Sequence, residues 1–569
     1  MNDKELSQER KKLQEKGLLP VWFTTGGWQM FKQRYLYQAD NAKQQYERIA
    51  TTLAKHIGNN YPSWWNEFYG DKIWSEVFFD VMWKGDLSPS TPVLSNTGTN
   101  RGLPVSCAGN EIADEVFSFY DKLKECAVLT QEGFGTASYL GHIRCRGTAI
   151  SRGGKAMGVL PVFKMFVQMS QDISQGSTRR GAWAGYLEIT HGDFDEICDH
   201  ISELPDGVNV GWIITDDFKD KLLAKDAEAM RRWGKLWKTK MVTGKGYLLF
   251  IDKVNRNVPQ MYKDKGMKVK TSQLCSEISL YSDLEHTFTC VLSSLNCSTY
   301  RTWSPKLAFI GTVFLDAVVS EFLEKGKHIR GLECAVRFTE KSRALGLGLM
   351  GLSTLFQKER IVFGSMDSMY LQNDIMMQLD TESKEASKWL AEVFGEPEWC
   401  KGYGVRNTHR LAIAPTKSTA LIMSGASEGI NIDPKATYTQ LTAAGEVDRI
   451  SPVLLEVMKE RGVNDKKHIQ EIVDNHGSVM NVSWLDDYEK DVFRNAFETP
   501  QESVLVLAAQ RQRKLDQMQS LNLFFDGSED ENYIGEIALK ALLDENIQAI
   551  YYAYSSRGVT ASKDCVSCG

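Results

Sequence analysis

The pentapeptide Gln273-Leu274-Cys275-Ser276-Glu277 sets a thiol between an amide and a carboxylate at alternate positions. In an extended segment those three side chains share one face. The carboxylate could then act as a general base, and the thiol as a nucleophile or a hydrogen-atom carrier. The same spacing also suits a half-buried strand with one inert cysteine. A second thiol signal closes the chain, Cys565-Val566-Ser567-Cys568-Gly569. A CxxC pair on a small, polar end can close into a disulfide and exchange with another. It could also be half of a zinc site, but no second CxxC or HxxxH lies nearby to supply the remaining ligands. Redox chemistry is therefore favoured over metal binding.

Ala414-Pro415-Thr416-Lys417-Ser418-Thr419 precedes the apolar Ala420-Leu421-Ile422-Met423 and reads as a hydroxyl-rich loop opening a helix. Free backbone N–H groups there suit a phosphate, although an ordinary Ser/Thr cap has the same look. Gly346-Leu347-Gly348-Leu349-Met350-Gly351 formally matches GxGxxG. No convincing strand precedes it and no acidic residue closes a dinucleotide unit, so a Rossmann site is rejected in favour of close packing of helix and strand at the glycines. Tyr551-Tyr552 is an adjacent aromatic pair, ordinarily a core or interface element.

The elements that must hold these groups belong to a long chain. Its 569 residues, 42% hydrophobic and 25% charged, can bury a large core. The net charge of −6 gives no drive towards nucleic acid or an anionic membrane. The best apolar run, 307–323, is interrupted by Asp316, and the N-terminal residues are charged where a signal peptide would be greasy. The expectation is a cytoplasmic protein with no nucleic-acid or membrane partner. Eleven scattered cysteines argue for a reducing compartment and for individually functional thiols.

Periodicity predicts helix across residues 28–83, then a mixed α/β region. There β-like or turn-bounded pieces (SPSTPVLSN, GVLPVF, GAWAGYLEI) alternate with helical ones (EVFSFYDKLKECAVL, VFKMFVQMSQDI). Two short strands joined by a loop are expected at 274–280 and 288–295, and helices at 307–324, 369–394 and 533–543. Residues 555–569 read as a mobile tail.

Taken together the set resembles the large, catalytic subunit of a class I ribonucleotide reductase, from about residue 87 to the C-terminus. The residues that carry the resemblance are Cys107 in PVSC, Cys275 and Glu277 in QLCSE, Cys290 in FTCVLSSLN, the Tyr551-Tyr552 pair and the terminal cysteine pair, all in the family's order. The resemblance implies a helical region at 1–86, a ten-stranded α/β barrel at 87–554 with a central finger loop carrying Cys275, and a redox tail at 555–569. It implies that a radical arrives through Tyr552 and Tyr551 and makes Cys275 a thiyl, which removes the 3′ hydrogen of a ribonucleotide. Glu277 then takes the 3′-hydroxyl proton. Cys107 and Cys290 become a disulfide as the 2′-hydroxyl leaves as water, and Cys565 and Cys568 reduce that disulfide by exchange. Sulfur suits both tasks, since it exchanges hydrogen with carbon and stores two electrons as a disulfide.

The same resemblance places substrate on Thr91, Ser106, Gly133, Pro415, Thr416, Ser418 and Thr419. It places a specificity effector, a deoxynucleoside triphosphate or ATP, at Asp114 and Arg144, with Gln175 and Arg179 in the loop linking effector to substrate base. No cofactor or metal is expected in this chain itself. The implied partners are a metal-containing, radical-generating small subunit, a second copy of the chain, and thioredoxin or glutaredoxin as reductant. Gln273 departs from the family's usual Asn by one methylene, which puts its hydrogen bond to Glu277 in question. No ATP-cone is recognisable, a compact form reminiscent of phage-encoded reductases, for which the host cytoplasm would be the compartment. The rivals are an adenosylcobalamin-dependent reductase, which needs no tyrosine relay, and a silent nucleotide-binding paralogue, which would be expected to have lost a cysteine or Glu277.

Overall fold

A computed structural model describes residues 3–175, 179–442 and 445–556. The N-terminal helical stretch is broken into separate helices, Thr25–Arg34, Ala42–Ile57, Trp65–Tyr69 and Trp74–Trp83. The breaks have local causes. The Asn41 side chain accepts a hydrogen bond from the Gln44 N–H and starts the helix Ala42–Ile57, which Gly58 ends at φ +65°, and Gly70, at φ +58°, ends Trp65–Tyr69.

Nine strands form the principal sheet: β1 (Leu87–Pro89), β2 (Cys107–Glu111), β3 (Gly135–Tyr139), β4 (Trp183–Glu188), β5 (Val210–Ile214), β6 (Tyr247–Phe250), β7 (Phe288–Asn296), β8 (Leu345–Met350) and β9 (Ala549–Ile550). Strands β2 to β6 run parallel, each paired with the next. At one seam β2 meets β7 antiparallel, and at the other β6 meets β9 antiparallel. β8 runs parallel to β7. The remaining gap is closed by parallel bridges from Leu347 to Leu411 and from Ile413 to Gln519, and by the parallel pairing of 523–525 with 553–555. Ten chain segments therefore form a ring of two parallel five-membered halves, the α/β barrel expected from the resemblance.

Each strand divides its side chains between two cores. On the outside, Trp183, Leu187, Trp212, Ile214, Leu248 and Phe250 pack under helices. On the inside, Ala184, Tyr186, Ile213, Tyr247 and Leu249 surround a loop that enters the ring with Leu274, Cys275 and Ile278. Burial on both faces explains why β5 and β6, VGWII and YLLF, are apolar throughout. The apolar stretch at 307–323 is a helix, Leu307–Gly326, buried almost all round. Its interrupting residue, Asp316, accepts bonds from Arg343 Nε at 2.9 Å, Arg406 Nε at 3.1 Å and Asn407 Nδ2 at 2.9 Å, which joins the helix to the second half of the ring.

Three of the β-like readings fail in whole or in part, the first at SPSTPVLSN, which is strand only at its start and continues as the helix Thr91–Asn96. GVLPVF is not β-like, because Gly158 ends the preceding loop at φ +78° and the following residues begin the helix Val159–Asp172. The region around Cys275 is not a strand either: residues 271–280 make no ladder, and Ser276 turns the chain at φ +67°. The expected strand at 288–295 is β7, and the three later helices begin within three residues of the expected starts.

Candidate active site

The loop carrying Cys275 crosses the inside of the ring and is held by polar groups from several strands. Tyr186 Oη on β4 donates to the Gln273 carbonyl at 2.6 Å, and Ser272 Oγ donates to the Ile278 carbonyl at 2.6 Å. The Met518 N–H donates to the Glu277 carbonyl at 2.9 Å. Ser520 Oγ lies 2.6 Å from the Cys275 carbonyl and 3.1 Å from Glu277 Oε2. The Gln273 side chain bridges the turn, its Oε1 accepting from the Cys275 N–H and its Nε2 donating to Glu277 Oε2. The extra methylene therefore does not cost the bond to Glu277. The three residues converge through a turn, not through alternation along a strand.

Cys107 and Cys290 are direct partners in the antiparallel β2–β7 pairing. Opposed residues in such a pair have Cα atoms about 4.5–5.5 Å apart, and a disulfide spans Cα separations of about 4.4–6.8 Å. Both cysteines are reduced here. Burial, with the charge of Glu277 as a lesser cause, pushes the Cys290 thiol up, so it is held as S–H. A protonated thiol suits hydrogen and proton donation better than nucleophilic attack.

On the far side of Cys275, Tyr551 Oη approaches its sulfur at 3.7 Å. The Tyr551 and Tyr552 rings lie 4.1 Å apart between centroids, and Tyr554 follows Tyr552 at 5.4 Å. Tyr247 packs on both members of the pair, at 5.1 and 5.7 Å. Tyr247 and Tyr554 escaped sequence reasoning, since single tyrosines carry no motif.

A cavity opens beside these groups. Cys107, Cys275, Glu277, Ser106, Pro415, Thr416 and Thr419 line it, and so do Ser88, Ser90, Ser293 and Ser294, which the sequence reading did not single out. Their signal was the serine content of the strand motifs themselves, SPS and LSS. Thr416 closes the loop, its Oγ1 accepting from the Gly429 N–H at 2.8 Å, and the helix Lys417–Ile422 follows. Ser418 is half-buried and is not among the cavity's lining residues. Thr91 stands behind the cavity, 3.1 Å from Tyr35 Oη, and leaves the lining to Ser90. Gly133, at φ +105°, leaves room for Gln175: a Cβ there would come within 2.6 Å of its Oε1. The glycines of GxGxxG serve strand packing inside the ring, correcting the helix-and-strand expectation. A Cβ on Gly346 would meet Leu292 and come within 3.0 Å of the Cys290 sulfur, and one on Gly348 would meet the Ala412 carbonyl.

The other expected residues lie at the ring's edge. Asp114 and Arg144, from the loops after β2 and β3, form an ion pair. Gln175 is buried and donates to Asn96 Oδ1 at 3.1 Å and to the Arg101 carbonyl at 3.2 Å. Arg179 pairs with Gln175 through the backbone, and its side chain lies outside the described residues. Cys565 and Cys568 also lie outside them.

The profile described as ribonucleotide reductase, barrel domain, matches residues 105–222, 214–401 and 397–553, and that described as ribonucleotide reductase, all-alpha domain, matches 21–102. The chain belongs to the ribonucleotide reductase large-subunit family. A Frog virus 3 (isolate Goorha) protein, provisionally named a ribonucleoside-diphosphate reductase large subunit, is 30% identical over 545 residues, covering 91% of this chain and 94% of its own. The solved alpha subunit of the class Id ribonucleotide reductase of Actinobacillus ureae superposes with a TM-score of 0.85 at 34% identity, over 96% of this chain and 99% of that one. A vitamin B12-dependent ribonucleoside-diphosphate reductase of Thermoplasma acidophilum is 27% identical over 491 residues, covering 80% of this chain and 62% of its own. Among the described residues no helix is long and apolar enough to cross a membrane.

Proposed function

We propose that this ribonucleotide reductase large subunit reduces ribonucleoside diphosphates to 2′-deoxyribonucleotides in the cavity beside Cys275. The observation that carries the reading is the placement of Cys275, with Tyr551 Oη 3.7 Å from its sulfur and the register-paired Cys107 and Cys290 sharing the ring's interior. A radical passed along Tyr552 and Tyr551 takes the hydrogen of the Cys275 thiol. The resulting thiyl removes the 3′ hydrogen of the ribose and returns it at the end of the turnover. Glu277 accepts the 3′-hydroxyl proton. Cys107 and Cys290 give up two electrons and two protons: the 2′ C–O bond breaks, a 2′ C–H bond and water form, and one S–S bond joins the two sulfurs. Pro415, Thr416, Ser418 and Thr419 hold the substrate phosphate at a helix start, where backbone N–H groups face outward. Ser106 completes the substrate side, with Thr91 and Gly133 backing it through their contacts with Tyr35 and Gln175.

In this reading the three-part organisation, 1–86, 87–554 and 555–569, assigns the last segment to disulfide exchange through Cys565 and Cys568, recharged by thioredoxin or glutaredoxin. A metal-containing small subunit supplies the radical. A deoxynucleoside triphosphate or ATP binds at Asp114 and Arg144, signals through Gln175 and Arg179, and does so in a homodimer. The host cytoplasm is the compartment if the source is a virus. The adjoining rings of Tyr551 and Tyr552 favour this over an adenosylcobalamin-dependent reductase, because a radical made from a bound cofactor needs no tyrosine chain.

The test is product formation from each ribonucleotide, with candidate radical subunits or with adenosylcobalamin alone. Deoxynucleotide should appear only with the subunit. Product with adenosylcobalamin alone would move the chain to the other class, and none under either condition would sink the reading.

A further inference from the structure

Glu111 is the last residue of β2 and is 1% exposed, a carboxylate that burial would penalise without partners. Three groups converge on it. Lys270 Nζ lies 2.8 Å from its Oε2, His142 Nε2 lies 2.8 Å from the same oxygen, and Ser282 Oγ donates to Oε1 at 3.1 Å. Lys270 and Ser282 stand on the two stems of the loop whose turn carries Cys275. One stem is also clasped by Asn255, which bonds both the N–H and the carbonyl of Val269 at 2.8 and 2.9 Å, and the stems are joined nearer the turn by Ser272 and Ile278. At the base, Glu111 is the group that touches both stems.

His142 comes from a different place. It lies in the loop after β3, two residues before Arg144, with its ring edge-on to Tyr139 at 4.9 Å. Asp114, the partner of Arg144, follows Glu111 by three residues on its own segment. One buried carboxylate thus ties the Cys275 loop to both chain segments that meet at the Asp114–Arg144 edge.

We propose that Glu111 is a positioning residue for Cys275, clamping the stems of its loop, and that His142 makes the clamp responsive to occupancy of the Asp114–Arg144 edge. The inference rests on the reductase reading for what the loop does, but the clamp has a physical readout of its own. A charge-assisted bond to a buried carboxylate is stronger than a neutral one. Glu111→Gln keeps the shape and removes the charge, and Lys270→Met removes one stem's contact from a partly exposed site.

Amide hydrogen exchange on the full chain gives the first measurement. In both variants exchange across 271–280 should rise by about tenfold or more, while β6 stays as in the parent and Lys270→Arg behaves as the parent. With the radical subunit present, kcat should fall by about tenfold with KM changed less than about twofold, since the reacting thiol is displaced and the substrate pocket is not. His142→Ala should keep the effector-free rate and lose about fivefold of the response to effector. Unchanged exchange across 271–280 in Glu111→Gln and Lys270→Met would overturn the clamp, and an intact effector response in His142→Ala would overturn the coupling. A parent chain that makes no deoxynucleotide would overturn the reductase reading and leave the exchange result to decide the clamp.

Discussion

The two halves of the ring are built differently. The first, β2 to β6, is five regular parallel strands whose backbone groups are satisfied by one another. In the second half, only β7 and β8 pair over more than three residues; the other segments touch through single bridges and short pairs. Side chains do there what ladders do in the first half. Asp516 accepts from the N–H groups of Arg410 and Leu411 at 3.0 and 2.8 Å, Gln517 donates to the Leu345 carbonyl at 2.7 Å, and Gln512 donates to the Gln517 carbonyl at 2.6 Å. A buried backbone must be paired somehow, and pairing it with side chains frees main-chain groups to reach inward. The Met518 N–H uses that freedom to hold the turn at Cys275, beside the Ser520 hydroxyl, and 414–419 lines the cavity. The regular half is chiefly a frame, contributing Cys107 from β2 and the Tyr186 hydroxyl from β4, and the irregular half supplies the other contacts to the Cys275 turn and the 414–419 wall of the cavity.

The largest effect should come at the turn itself. Cys275→Ser should abolish deoxynucleotide formation while substrate affinity stays within about twofold, because the hydrogen carrier is removed and the pocket is kept. Equilibrium binding beside a product assay checks both, and turnover by the variant would end the assignment of Cys275.

Two serine substitutions probe the halves directly. Ser520→Ala, in the second half, leaves the Cys275 carbonyl without its donor and should cost about 1–2 kcal/mol of stability and about 10- to 100-fold in kcat. Ser138→Ala, in the first half, removes a hydroxyl that donates to Asn110 Oδ1 at 2.7 Å and accepts from Trp183 Nε1 at 3.0 Å. It should cost about 1–3 kcal/mol, two buried bonds being lost, yet leave kcat within about threefold. Denaturant melts and steady-state rates on both variants decide it, and equal losses of activity would erase the distinction between frame and site.

A smaller effect is confined to pH. His409, in the second half, is fully buried, and burial pushes its imidazole down to about 4. The unfolded chain takes up that proton near pH 6.5, so between about 6.5 and 4 the fold binds fewer protons than the unfolded state. Stability should therefore fall as pH drops through that window, by roughly 3 kcal/mol in total for this group. His409→Gln should flatten that part of the stability–pH curve, and an unchanged slope would remove His409 as its cause.

The smallest stability effect belongs to the edge of the frame. Arg144→Ala breaks a partly exposed ion pair and should shift stability by no more than about 0.5 kcal/mol. It should nonetheless change which ribonucleotide is reduced in the presence of each deoxynucleoside triphosphate. Unaltered base preference across the four substrates would separate this edge from effector binding.

The sequence by itself determined the residue types that chemistry requires and their order: the QLCSE turn, the Tyr551-Tyr552 pair and the hydroxyl loop at 415–419 are contiguous, so their signal is local. It also determined β7 and the helices Leu307–Gly326, Met366–Phe394 and Glu531–Leu543, where long apolar patterns leave little choice. It misread the Cys275 segment as a strand because a period of two cannot distinguish a strand from a turn whose side chains bond each other. It misread GVLPVF because a short apolar run fits a buried strand and a buried helix equally. Only the tertiary structure set Cys107 opposite Cys290, closed the ring through single bridges, brought Tyr551 to Cys275 and placed Ser520, Gln517 and Glu111 on the loop. These are pairings between residues far apart in the chain. Strand register and the satisfaction of buried polar groups decide them, and neither leaves a periodic trace in the sequence.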